Sequence, residues 1–305
     1  PDMLELTAAF KQAVQTQYLD AYGMGFDEVL AESPFDFTPI GELGRSPGED
    51  PLGNLIADSY VYAVRQAEGG DSLPVDFAVV AAGVIRGSFT RGEITVSDAF
   101  NVSSLGSGAD GTPGYPLISV YITGRELRDA FEVDASVSPL MPAARLYGAG
   151  MHWEFNTRRM IFNKVTDAWQ VLGDGTTAAL EDDRLYRVVT GLYSGQMLGT
   201  VNAQSFGLLT VTPRNADGTE VTDFEQCIIY NPDGTEVKEW FALASYLRGL
   251  AVVPDRYAGP EGRKIVSSSL NPIELFKNPN WITLAVLTLA LAVIAAIVLL
   301  VLLIR

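Results

Sequence analysis

Hydrophobic and polar positions alternate in two periods along this chain, and one long stretch has no period at all. Leu4, Phe10, Val14, Leu19 and Tyr22 recur at helical spacing through Leu4–Leu30, which breaks near Gly23 and Gly25. Residues 33–50 are rich in Pro, Gly and acidic side chains and predict a connector. Leu52–Gln66 predicts an amphipathic helix. Val75–Val80 is a continuous apolar run ahead of Ala81-Ala82-Gly83, the pattern of a buried strand entering a tight loop. Leu117–Ile122 alternates as a strand does, and Gly124–Val133 turns helical. Met151–Phe155 and Arg187–Thr190 predict further strands. Strands and helices mixed throughout predict an α+β fold of mixed α/β layers. No internal repeat is present.

The aperiodic stretch is Trp281–Ile304, which carries no charge and only two polar residues, Thr283 and Thr288. At about 1.5 Å per residue it is long enough to cross a hydrocarbon core of roughly 30 Å. As a helix it pairs every backbone group internally, which that layer demands. Trp281 stands where an interfacial anchor belongs, and Arg305 closes the other end. Ala292 and Ala296 form a small-xxx-small pair, which an Ala-rich span also produces by chance. Residues 263–280 predict a polar tether to this single C-terminal transmembrane helix.

Charge narrows the partners. Lys and Arg number 21 against 37 Asp and Glu, a net charge of −16. That argues against nucleic acid, which needs a basic footprint, and suits an extracytoplasmic domain at a cell membrane. The polar part precedes the span, so it lies on one side. Its placement outside requires an export signal, and the sequence from Pro1 onward contains none. The chain is therefore read as one whose signal was removed, or as the C-terminal piece of a longer precursor. Lys277 against Arg305 is too little bias to orient the span. The single cysteine, Cys227, makes an intrachain disulfide impossible and is read as a buried, inert thiol.

Four Asp-Gly-Thr triplets, at Asp110, Asp174, Asp217 and Asp233, predict tight turns, because Gly supplies positive φ and Asp bonds its own backbone. A calcium loop needs further carboxylates at alternate positions, and these triplets lack them. Asn101-Val102-Ser103 fits a glycosylation sequon of the kind that arises by chance.

Five stretches, in order, resemble the C-terminal domain of 5′-nucleotidases and nucleotide-sugar hydrolases. They are Leu52-Gly53-Asn54-Leu55-Ile56-Ala57-Asp58; Asp76 through Gly83-Val84-Ile85-Arg86; Gly92-Glu93-Ile94-Thr95 to Asp98; Ile122-Thr123-Gly124-Arg125-Glu126-Leu127 with Phe131-Glu132; and Tyr186-Arg187-Val188-Val189-Thr190. The resemblance covers about residues 50–245. It implies a domain over 50–262, preceded by a helical linker (1–49) to the family's catalytic domain.

In the family, a two-metal centre on the N-terminal domain hydrolyses the phosphate ester and needs several His, Asp and Asn ligands. One histidine, His152, cannot build it, so the resemblance implies no catalytic residue, metal or cofactor in this chain. It implies substrate binding instead. Arg86 falls on the glycine-loop arginine that contacts the nucleotide, and Gly83 is that loop's surviving glycine. Tyr193 falls on one aromatic platform. Phe206 falls near the last aromatic of a second loop. The other platform falls on Arg145 or Leu146. An Arg after such a turn is suited to bidentate anion binding; its plain alternative is a surface Arg paired with a carboxylate. His152 reads as structural.

Departures from the pattern point the other way. Ala81, Ala82 and Val84 replace an Asn and two glycines, adding Cβ atoms where backbone should approach a ligand. Ser104-Leu105-Gly106-Ser107 replaces a Pro-Phe-Gly-Asn loop, and Gln204 replaces the Asp that holds a ribose. Two main readings follow. One is the membrane-anchored nucleotide-binding half of a 5′-nucleotidase-type phosphoesterase, its metal-bearing half elsewhere. The other is a non-catalytic accessory subunit of a membrane assembly, with a filled cleft and an exposed apolar patch for partner subunits. A sensor for a different ligand, such as a nucleoside or sugar, is the third.

Overall fold

A computed structural model describes residues 2–69, 73–198, 201, 205 and 207–304. In chain order they form α1 (Met3–Gln17), β1 (Val29–Ser33), α2 (Pro51–Glu68), β2 (Phe77–Ala81), β3 (Gly92–Thr95), α3 (Val96–Val102), β4 (Leu117–Thr123) and α4 (Gly124–Ser136). There follow β5 (Leu146–Ala149), β6 (Met151–Asn156), β7 (Val165–Val171), β8 (Thr177–Ala179), β9 (Leu185–Gly191) and α5 (Leu192–Leu198). The last are α6 (Glu239–Leu250), β10 (Ala251–Val252), β11 (Lys264–Ser267), α7 (Pro272–Leu275) and α8 (Trp281–Ile304).

The central sheet runs β4-β9-β2-β5, with β9 and β2 parallel and both outer pairs antiparallel. Its apolar runs lack alternation because both faces are covered. Along β2, Phe77 joins the core under α4 and β6, while Ala78 and Val80 join the core under α2 and α6. Leu117 and Ile118 on β4, and Val189 and Val188 on β9, divide the same way. A second sheet, β11-β6-β7-β8, and a small one, β10-β1-β3, complete the mixed layers.

The motif stretches turn out to be building devices. Asp50 caps α2 by accepting from Leu52 N, and Pro51 occupies its first turn. A Cβ on Gly53 would sit 2.2 Å from the Tyr147 ring, so only Gly lets α2 lie on β5. Asp58 accepts from both terminal nitrogens of Arg263 at 2.8 Å and from Arg256 at 2.9 Å. Thr95 with Asp98, and Thr123 with Glu126, are capping boxes that start α3 and α4.

The structure departs from the sequence reading at both ends. The N-terminal helix stops at Gln17, and the stretch read as a linker contains β1, which pairs with β3 and β10. The stretch read as a tether opens with β11, bonded along β6 from Lys264 to Ser267. Cys227 is half-buried rather than buried; burial first, and Asp223 second, push its thiol up, so it stays protonated.

Candidate functional site

The parallel strands β2 and β9 end side by side, and the segments that follow both enclose a cavity of about 400 Å³. The C-terminal edge of parallel strands is where open α/β sheets take ligands, since the following loops diverge there. Ala81, Gly83 and Val84 line the cavity from β2 and the single 3₁₀ turn after it. Thr190 and Tyr193 line it from β9 and α5, and Phe131 from α4. The wall is almost wholly apolar. Its Thr190 hydroxyl is already committed, donating to Val79 O at 2.8 Å.

Two residues expected at the site meet here. Tyr193 is 37% exposed, and its ring stacks on Tyr115 with centroids 5.8 Å apart and planes 21° from parallel. Gly83 lies on the wall, but its lack of a Cβ answers to packing. A Cβ there would stand 2.9 Å from both the Cβ and the carbonyl oxygen of Ala143. Arg86 lies two residues beyond Val84. Its backbone N–H donates to Val102 O at 2.8 Å, which pins the loop. Its side chain is exposed and, among the described residues, makes no hydrogen bond or ion pair. The paired-surface alternative for Arg86 therefore does not apply among them.

Arg145 is not at the site, which corrects the stacking role expected of it. It is 2% exposed, and its Nη1 donates to Asp134 O at 3.1 Å and to Asp134 Oδ1 at 3.4 Å. Asp134 is wholly buried and also holds Lys264 Nζ at 3.0 Å. Two cations on one carboxylate fix the guanidinium inside the fold. Burial pulls the Lys264 ammonium down, with Asp134 opposing it. The neighbouring Leu146, the other position the sequence offered, does line the cavity. Phe206 and Gln204 lie outside the described residues.

The replaced loop residues have physical consequences. Ala81 and Val84 put methyl groups on the cavity wall in place of amide and backbone. The 104–107 stretch closes as a hairpin end, with Gly114 N donating to Gly106 O and Tyr115 N to Leu105 O. His152 stands on β6, in the other sheet, edge-on to Trp169 at 5.1 Å and 3.7 Å from Glu154. Sequence reasoning missed Tyr115 and Thr190 as site neighbours, although an aromatic just before Pro116 and a strand-end Thr were visible signals.

Among the described residues, no three His, Cys, Asp or Glu side chains converge so as to hold a metal ion.

A mixed sheet with a ligand-sized cavity at its parallel strand ends defines an α/β domain with a candidate small-molecule site. The family model for the 5′-nucleotidase C-terminal domain matches residues 37–206, and the chain belongs to that family. Among curated relatives, Endonuclease YhcR of Bacillus subtilis (strain 168) is 27% identical over 215 residues, covering 68% of this chain and 15% of that protein. The Trifunctional nucleotide phosphoesterase protein YfkN of the same organism is 26% identical over 147 residues, 48% of this chain and 9% of that one. The match thus spans a small part of either relative's length. Among solved structures, a 5′-nucleotidase precursor from Thermus thermophilus aligns with a TM-score of 0.59 at 23% identity, over 85% of this chain and 43% of the other. The NAD nucleotidase of Haemophilus influenzae aligns at 0.55 and 15%, over 86% and 42%. These two likenesses establish the fold.

Proposed function

We propose that this chain is the membrane-anchored, extracytoplasmic nucleotide-binding half of a 5′-nucleotidase-type phosphoesterase, the metal-bearing half being supplied by residues outside it. The observation that carries this reading is the apolar cavity at the ends of β2 and β9, with Arg86 two residues beyond its lining residue Val84, exposed and without a side-chain partner among the described residues. A nucleotide has a flat, weakly polar base and an anionic phosphate. The cavity wall and the Tyr193 ring suit the first, and Arg86 suits the second. The relatives named as an endonuclease and a nucleotide phosphoesterase support the same ligand class. The helix Trp281–Ile304 has the length and composition of a span, and its side chains face outward. Its first turn is the exception.

The test is titration of the full chain with a nucleoside monophosphate, followed by calorimetry. Saturable binding that Arg86→Ala weakens supports the reading; no binding to the folded wild type overturns it.

One observation favours the accessory-subunit reading. Met3, Leu4, Leu6 and Phe10 on α1 are all more than half exposed, an apolar strip suited to a partner subunit. That reading also expects the ligand cleft to be filled by side chains, and the cavity of about 400 Å³ weighs against it.

A further inference from the structure

The helix Trp281–Ile304 does not leave the domain on a free stalk. Its first turn is built into the globular part: Ile282 is 6% exposed and Thr283 5%. Ile282 packs with Phe162 and Leu209. Asn280 caps the helix by accepting from Thr283 N at 3.1 Å. The same residue is tied to the domain, since its backbone N–H donates to Asn163 Oδ1 at 3.0 Å and its amide nitrogen to Phe162 O. Just before it, Asn278 donates to Thr166 O at 3.0 Å, and Lys277 pairs with Asp167 at 2.6 Å. A bilayer that receives this helix therefore begins within about one helical turn, roughly 5.4 Å, of the 160–163 turn.

That level of the domain carries large apolar side chains facing solvent. Ile161 is 48% exposed and sits in the turn that seats Ile282. Leu140 is 82% exposed and follows Val137, which packs on the same cluster. Leu270, Ile273 and Phe276, on and beside the short α7, are exposed at 70%, 76% and 55%. Trp281, at 61%, is the residue type of the interfacial belt.

We propose that this face is a membrane-contact surface, which rests on the interfacial region of the bilayer and holds the domain in one orientation. The inference rests on the membrane anchor proposed above. Continuity with the span identifies lipid as the occupant, because the apolar side chains lie in or beside the segments that seat its first turn or lead into it. Contact is apolar rather than electrostatic. The net charge of −16 over the whole chain gives no general attraction to anionic headgroups, and the side chains named on this face are apolar.

The experiment uses the full chain, with Cys227→Ser, reconstituted in phosphatidylcholine liposomes. Single cysteines replace Leu140, Ile161 or Ile273 and carry an environment-sensitive fluorophore. Two further probes calibrate the signal: one at Leu291, in mid-span, and one at Asp174, in the turn at the far end of β7 from Asp167. Nitroxide lipids labelled near the headgroup or deep in the acyl chain serve as quenchers. The expected result is loss of emission by the shallow quencher at 140, 161 and 273, by the deep quencher at 291, and by neither at 174. If 291 is quenched while 140, 161 and 273 behave like 174, the anchor stands and the contact surface is overturned. If 291 is untouched, the anchor reading fails and takes the surface with it.

Discussion

Tyr60 donates a hydrogen bond from its hydroxyl to Glu239 Oε2 at 2.9 Å, and both side chains are shut off from water. Burial, with the Tyr60 bond opposing it, pushes the Glu239 carboxyl from 4.5 up to about 8. The folded chain therefore holds this proton more tightly than the unfolded chain does. The stability it contributes is full below pH 4.5, falls as the pH rises, and is lost through about pH 8. Glu239→Gln keeps the shape and cannot ionise. Its stability relative to wild type should rise across that window by on the order of a few kcal/mol. Urea melts at several pH values read the difference, and a difference that does not change with pH contradicts the assignment.

Gly53 predicts a pure packing effect. Gly53→Ala drives a methyl into the Tyr147 ring and should cost about 1–3 kcal/mol. Helix propensity alone would favour Ala by roughly 1 kcal/mol, so the sign of the change decides which effect wins. Thermal unfolding of the single variant gives that sign.

Arg145 and Arg86 should separate cleanly. Arg145→Ala leaves Asp134 with Lys264 as its one cation and opens a cavity where a 2% exposed side chain stood, and should cost about 2–5 kcal/mol of stability. Arg86→Ala removes an exposed side chain with no partner among the described residues, and should change stability by no more than about 0.5 kcal/mol. Its effect should fall on binding instead, a loss of about 1.5–3 kcal/mol for a charge-assisted contact to phosphate. Chemical denaturation and calorimetry on both variants check the pair of outcomes.

The fold was legible where one period or one device dominates. The run Val75–Val80 reads as a buried strand because both faces of β2 are covered, and α2 reads as amphipathic because one face meets the sheet. The strands β1 and β11 were hidden. Each is short and lies in Pro-, Gly- or Ser-bearing sequence, and its pairing comes from distant residues such as Trp153 and Ala251. The cavity wall was legible at Gly83 and Tyr193, which follow β2 and β9 closely. Arg145 was misread because one position separates a side chain bound to Asp134 from Leu146 on the cavity wall. No local pattern specifies which of two neighbours in an extended segment points inward. The wall supplied by α4 needs the tertiary fold to be seen at all.

Tyr193→Ala should weaken nucleoside binding by about 1–3 kcal/mol, the range of a lost base stack, and free Tyr115 from its neighbour. Tyrosine fluorescence during titration with an uncharged nucleoside isolates this contribution from that of Arg86. An unchanged affinity would place the base elsewhere.

The most direct test of nucleotide binding without catalysis combines two readings on one sample. The full chain, held in a lipid nanodisc with divalent metal present, is titrated with a nucleoside monophosphate, and free phosphate is followed in the same cell. Saturable binding that Arg86→Ala weakens, with no phosphate released, is the predicted result. Release of phosphate by the pure chain, or no binding by the folded wild type, would contradict it.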